Sequence, residues 1–383
     1  MKNKEKKNKK KKNFLSLVPM LIFMLVGAAF GVLFAQIDNS DMGIYGNIIF
    51  FAIFILGVYL AIFFHVIVHE AGHLVFGLLS GYKFSSFRIF SFMWIKDESG
   101  KTKLKKMSIA GTAGQCLMLP PEEKDGKIPV VLYNLGGSFL NIIAGLIFLV
   151  VFLACGYTYF GVAMALFALV GIATALINGI PMRLGGVDND GYNVISISKS
   201  REAARAFQIQ LKVLEQLSRG VDIRKMPDEW FEIPSDESMK NSMAATIGVF
   251  GCERLVSDER FEEADALMAH MLEIESGLIG IHRNYLVCCR IYNELIGENR
   301  EDVIEKMLSD EQKKYMKAMK SNITVIRIEY AIARLYEYND TKAEKILASF
   351  EKAAKAHPYP IEVEIERRLI EIVDQKAAQA CIQ

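Results

Sequence analysis

The stretch Phe64 to Leu79, FHVIVHEAGHLVFGLL, is the strongest constraint on the fold. It closes an apolar run from Ile48 to Leu79 that is longer than one bilayer crossing needs, so a tilted, kinked or projecting transmembrane helix is predicted. The run nevertheless holds three histidines and a glutamate. Ionisable groups at membrane depth are costly and usually mark function. In His69-Glu70-x-x-His73 the imidazoles are four residues apart, which puts both on one helix face, one turn apart, where they can reach a single metal ion. Glu70 lies just off that face, placed to take a proton from water at the metal. His65 is four residues before His69 and shares the stripe. The plainer alternative is a set of polar residues that glue helices together.

Composition separates the chain into two parts. Up to about residue 182 it is apolar with loops; after about 199 it is charged and helical in pattern. At 383 residues it is long enough for two domains. A net charge of +1 gives no general attraction to nucleic acid, and none is expected as a partner. The six cysteines form no C-x-x-C pair, and Cys288-Cys289 are adjacent, which suits neither an ordinary disulfide nor a zinc knuckle. They are read as reduced thiols in a cytoplasmic setting.

Residues 1–13 are mostly lysine, and Phe14 to Ala35 is an uncharged apolar run long enough to cross a bilayer. With more spans following, it is read as an uncleaved anchor whose lysine block stays cytoplasmic. Ile37 to Gly46 has two aspartates and no basic residue, as a short external turn would. The next span then runs inward and brings the histidine motif to its cytoplasmic half.

Between Gly81 and Pro129, aromatic and β-branched residues flank an Asp97–Gly100 turn, which predicts a β-hairpin. Lys96, Lys101, Lys103, Lys105 and Lys106 put it on the cytoplasmic side. It is either a membrane-surface hairpin or an exposed strand edge that pairs with an extended substrate. Val130 to Pro181 carries no charge and divides at Gly156–Gly161 into two spans, about 131–155 and 160–180. The first contains Gly136-Gly137, which permit close packing, and Asn141, a buried polar group that needs a partner. The second ends in NGIPMRLGGVDNDGYN, where Pro181 breaks the helix. A broken helix at membrane depth is tolerated where it lines a cavity. A carboxylate there, Asp188 or Asp190, can join the two histidines and leave one coordination position open; the alternative is an N-cap or turn residue.

This order of span, HExxH span, hairpin, GGxxxN span and span ending in N-x-x-P…D-G resembles the site-2 protease family of intramembrane zinc metallopeptidases. The likeness covers roughly residues 47–193 and rests on His69, Glu70, His73, Asn141, Asn178, Pro181 and Asp190-Gly191. It implies one Zn2+ per chain held by His69, His73 and Asp190, with Glu70 as general base. It also implies that Asn141 and Asn178 position the substrate and that residues 81–129 receive it unwound. Here a glycine-containing insert separates the proline from Asp190-Gly191, which keeps Asp188 in contention. No PDZ-like or CBS-like regulatory domain is visible.

Residues 199–383 read as helix pairs, with a linker near 219–237 where Pro227 and Pro234 interrupt the pattern. Trp230 and Phe231 are expected to pack on the first helix pair. Tyr330, Ala333, Phe350, Ala353 and Pro358 fit packing positions of a tetratricopeptide-like unit of about 34 residues, although Glu337 and Ile346 depart from it. Such repeats stack into a concave surface suited to a protein partner; a plain helical bundle is the alternative.

The expectation is therefore an α-helical membrane protein with about four transmembrane helices, a membrane-associated β-hairpin and an all-α cytoplasmic helical-repeat domain. The parts are a basic N-terminus (1–13), a transmembrane metalloprotease domain (14–198) and a helical domain (199–383). Both termini face the cytoplasm of a bacterial cell membrane, and the substrate is a transmembrane protein or peptide. A non-proteolytic membrane anchor displaying a docking domain is the main rival. A metal transporter is a weaker one, because a second strongly polar span is missing.

Overall fold

The computed structural model describes residues 17–22, 24–33, 35–36, 43–96, 99–107, 112–122, 128–184 and 187–380. The lysine block, most of the expected external turn, Asp97 and Glu98 of the Asp97–Gly100 turn, Gly185-Gly186 and Cys381 lie outside the described residues.

Among the described residues, three helices are long and apolar enough to cross a membrane: α2 (Ile44–Leu79), α3 (Val130–Cys155) and α4 (Tyr159–Gly179). A shorter apolar helix, α1 (Leu17–Leu33), occupies the expected first span. At 1.5 Å per residue, the 36 residues of α2 extend about 54 Å, well beyond a hydrocarbon core of about 30 Å. Gly156, with φ of +60°, ends α3, and the Thr158 hydroxyl caps α4 by accepting from Gly161 N. Apolar side chains such as Phe51, Leu56, Leu146, Val150 and Leu153 point outward. In water such a surface would be a liability; in lipid it is the proper solvent.

The helices pack through small residues. A Cβ on Gly72 of α2 would lie 2.3 Å from the Gly136 carbonyl oxygen of α3, so the two backbones touch. Phe30 of α1 stacks on Phe54 of α2, with ring centroids 4.4 Å apart, and joins Ala61, Val162, Leu166 and Val170 in a small core. After α4 come a two-stranded turn, β5 (Arg183–Leu184) and β6 (Val187–Asp188), and then α5 (Asp190–Ser198).

The chain divides into two compact units: 1–83 with 129–195, and 84–128 with 196–383. The second contains a four-stranded antiparallel sheet of order β3-β2-β1-β4, formed by β1 (Lys83–Ile89), β2 (Phe92–Lys96), β3 (Thr102–Lys106) and β4 (Gly114–Leu119). The expected hairpin is β2–β3, with Trp94 opposite Leu104; the flanking strands β1 and β4 complete it. One face is buried and includes Arg88, Met93 and Ile95, whereas Phe92, Trp94 and Leu104 are exposed. Arg88 ties the sheet together, donating from Nη1 to Phe90 O (2.7 Å) and from Nη2 to Thr112 Oγ1 (2.6 Å) and Gly114 O (3.1 Å).

Met93 and Ile95 share a core with Ala206, Ile209, Val213 and Leu217 of α6 (Arg201–Ser218). Phe231, from the expected linker, is buried in the same core with Ile247 and Phe250 of α7 (Ser242–Ser257), and Trp230 packs against it. The remaining helices are α8 (Phe261–Glu273), α9 (Gly280–Ile296), α10 (Glu301–Met307), α11 (Asp310–Ala318), α12 (Ile323–Leu335), α13 (Asp340–Ala356) and α14 (Pro360–Ala380). Successive helices stack, α7 on α8, α8 on α9 and α12 on both α13 and α14. Tyr330 and Ala333 of α12 and Phe350 of α13 are buried in their common core.

Candidate metal centre

The α-helical period brings His65, His69 and His73 onto the side of α2 that faces α3 and α4, and all three are buried. His73 Nδ1 is 2.8 Å from Tyr133 O. A carbonyl can only accept, so His73 carries its proton on Nδ1 and presents a bare Nε2. That Nε2 lies 3.1 Å from His69 Nε2 and 3.4 Å from Asp190 Oδ2, and His69 Nε2 lies 3.0 Å from the same oxygen. Ligand atoms of all three residues fall within 4.8 Å of one another. Electron-rich atoms gathered so closely repel unless a cation or protons lie between them.

Glycines make room for this cluster. A Cβ on Gly137 would sit 2.5–2.7 Å from three atoms of the His69 ring, so α3 forms a slot that only glycine leaves open. A Cβ on Gly191 would lie 2.1 Å from Gly179 O, which holds the start of α5 against the end of α4.

Asn189 makes that junction and was not singled out in the sequence. Its Nδ2 donates to Ile177 O (2.7 Å) and Ile180 O (2.6 Å), two carbonyls at the broken end of α4. Its Oδ1 accepts from Met182 N and Tyr192 N, both at 2.9 Å, the latter as N-cap of α5. The available signal was an asparagine just before a helix that follows a proline break. Its flanking aspartates diverge: Asp190 meets the histidines, while Asp188 forms an ion pair with Arg183.

Glu70 is buried, and its carboxylate acts electrostatically on His73. Asn141 is fully buried between two histidines, with Oδ1 placed 3.0 Å from His65 Nδ1 and Nδ2 placed 3.4 Å from His69 Nδ1. Asn178 is partly buried and donates to Thr174 O, one turn back in its own helix, at 3.0 Å. His270 and His357 sit in the helical unit, beside Asp236 and Glu362.

Two imidazoles and a carboxylate, with a buried glutamate next to the first imidazole in sequence, form a group that could hold a metal ion among helices apolar enough to cross a membrane. A family model described as Peptidase family M50 matches residues 57–356. The chain belongs to that family, whose members are zinc-dependent intramembrane metalloproteases. No curated protein and no solved structure matches the chain.

Proposed function

We propose that this protein is a zinc metalloendopeptidase that cleaves a membrane-embedded protein or peptide, with His69, His73 and Asp190 as the zinc ligands, one ion per chain. The observation that carries the reading is the meeting of two imidazole nitrogens, one with its tautomer fixed by a backbone carbonyl, with the Asp190 carboxylate. Two nitrogens and one oxygen fit zinc and leave a fourth position for solvent or substrate. Bound there, zinc supplies a Lewis acid for the scissile carbonyl and for the attacking water.

Glu70 takes the water's proton and delivers it to the leaving amine. Its burial keeps competing bulk water from the carboxylate. A transmembrane helix keeps its carbonyls bonded internally, so the substrate is attacked as an unwound, extended segment. Such a segment suits addition to an edge of the β1–β4 sheet, and Asn178 is a candidate to hold its backbone. Regulatory membrane proteins, leftover signal peptides and peptide pheromone precursors have the required form. The lysines of the N-terminus and of β3 favour a cytoplasmic placement for both, in a bacterial cell membrane. A protein partner is proposed for the helical unit.

The test is Glu70→Gln in the full chain. Zinc stoichiometry should stay unchanged while cleavage of a membrane substrate falls by about 10²- to 10⁴-fold. Full activity in that variant rejects the mechanism.

A further inference from the structure

His65 lies one turn before the first proposed ligand and does not join the cluster. It is fully buried, and a Cβ on Gly171 of α4 would come within 2.4 Å of its ring, so α4 leaves a slot for this imidazole as α3 does for His69. His65 Nε2 is 2.8 Å from Phe167 O, and its Nδ1 faces the Asn141 amide, which in turn faces His69 Nδ1. A carbonyl, an imidazole, an amide and a second imidazole thus form one row ending at the proposed metal ligand.

Proton counting fixes the direction of that row. Phe167 O can only accept, so His65 donates from Nε2. A neutral His65 then has a lone pair at Nδ1, and an Asn141 oxygen facing it would set two acceptors against each other. Protonating Nδ1 as well would remove the clash but would bury a charge between two uncharged partners, at high cost. Turning the amide by 180°, which exchanges two nearly indistinguishable atoms, satisfies every position. Asn141 Nδ2 then donates to His65 Nδ1, and Asn141 Oδ1 accepts from His69 Nδ1–H. His69 is left with a bare Nε2 facing Asp190, the tautomer a metal ligand requires.

We infer that His65 is a positioning residue: through Asn141 it transmits the polarity of the Phe167 carbonyl to His69 and holds that ligand in its metal-binding tautomer. The inference rests on the zinc reading above and gives Asn141 a supporting role within the site. The two ligands are prepared in different ways, His73 directly by the Tyr133 carbonyl and His69 through two intervening side chains.

The experiment measures zinc affinity of the full chain in lipid nanodiscs by competition with a chelating indicator. His65→Phe and Asn141→Leu should each weaken zinc binding by about 10- to 100-fold. The double variant should be no weaker than the poorer single one, because both cut the same row. His65→Gln restores a donor and an acceptor and should recover affinity to within about threefold of wild type. Nitrogen-15 spectra of the zinc-free protein should show His69 protonated at Nδ1 in wild type and in a mixture of tautomers in Asn141→Leu. Equal zinc affinity in His65→Phe, additive losses in the double variant, or an Nε2–H tautomer for His69 in wild type would overturn the row. If His65→Phe fails to fold, His65→Gln and the wild-type tautomer decide. A wild-type chain that binds no zinc rejects the metal reading itself, whereas one zinc per chain with an indifferent His65 rejects only this inference.

Discussion

Arg183 grips Asp188 with two hydrogen bonds, Nε to Oδ1 at 2.5 Å and Nη2 to Oδ2 at 3.3 Å. The same guanidinium lies 5.1 Å from the Tyr192 ring centre. Asp188 thereby closes the β5–β6 turn, while Asp190, two residues on, faces the histidines. Asp190→Asn should weaken zinc binding by more than about 100-fold, and Asp188→Asn should leave it within about threefold while loosening the turn. Zinc content after dialysis against a graded chelator separates the two. A reversed order would make Asp188 the third ligand.

The slot around His69 gives a second expectation. Gly137→Ala adds a carbon 2.5–2.7 Å from the ring, so either the ring or α3 must move. Such overpacking costs about 1–3 kcal/mol, and the displaced imidazole should lower zinc affinity at least about tenfold. Gly57→Ala, whose added carbon meets only Leu166 Cδ2 at 3.4 Å, is the control and should bind zinc normally.

In the helical unit, Arg327 and Glu366 form a buried pair across α12 and α14, at 2.5 Å. Glu366 also accepts from Thr324 Oγ1 at 2.6 Å, and the Arg327 guanidinium lies 4.0 Å from the Tyr292 ring centre. Removing one partner strands the other charge away from water. Glu366→Ala should destabilise this unit by about 3–5 kcal/mol, whereas joint replacement of both residues by apolar ones should cost far less. Urea unfolding followed by fluorescence measures it cleanly, because the chain's only two tryptophans, Trp94 and Trp230, both lie in this unit.

Glu253 gives the same unit a pH dependence. Burial, together with the nearby carboxylates of Glu362 and Glu366, raises its pKa to about 8. The folded state therefore favours the protonated acid. Its contribution is fully present below about pH 4.5, where the unfolded chain also binds the proton, and is lost as pH rises through 8. Stability should fall by about 3–4 kcal/mol between pH 5 and 8 on this account, and Glu253→Gln should flatten that slope. Unchanged slopes in the two proteins would contradict the assignment.

Much of the membrane unit was legible because a helix period and a hydrophobic run are local facts. His69 and His73 had to share a face once the segment was helical, and Pro181 had to end α4. Other features depended on partners remote in the chain. That Asp188 faces Arg183 while Asp190 faces the histidines depends on the reach of the Arg183 side chain, which the sequence does not encode. The strand Gly114–Leu119 carries little local signal, being a short apolar run bracketed by Gly114 and Pro120. The inner face of the sheet looked like any half-buried strand surface; nothing in Met93 or Ile95 says that α6 will cover them. Asn189 and His65 were visible as residues, but their roles are hydrogen bonds to carbonyls, and a sequence does not display its carbonyls.

The contact between Gly72 and Gly136 has a consequence for how a long, greasy chain gains entry. Two backbones that already touch have no slack, and parting them would open a void along the wall that also supports His69. That seam is a fixed hinge-post and not a door. An incoming peptide should therefore reach the histidines without parting α2 from α3 at this seam.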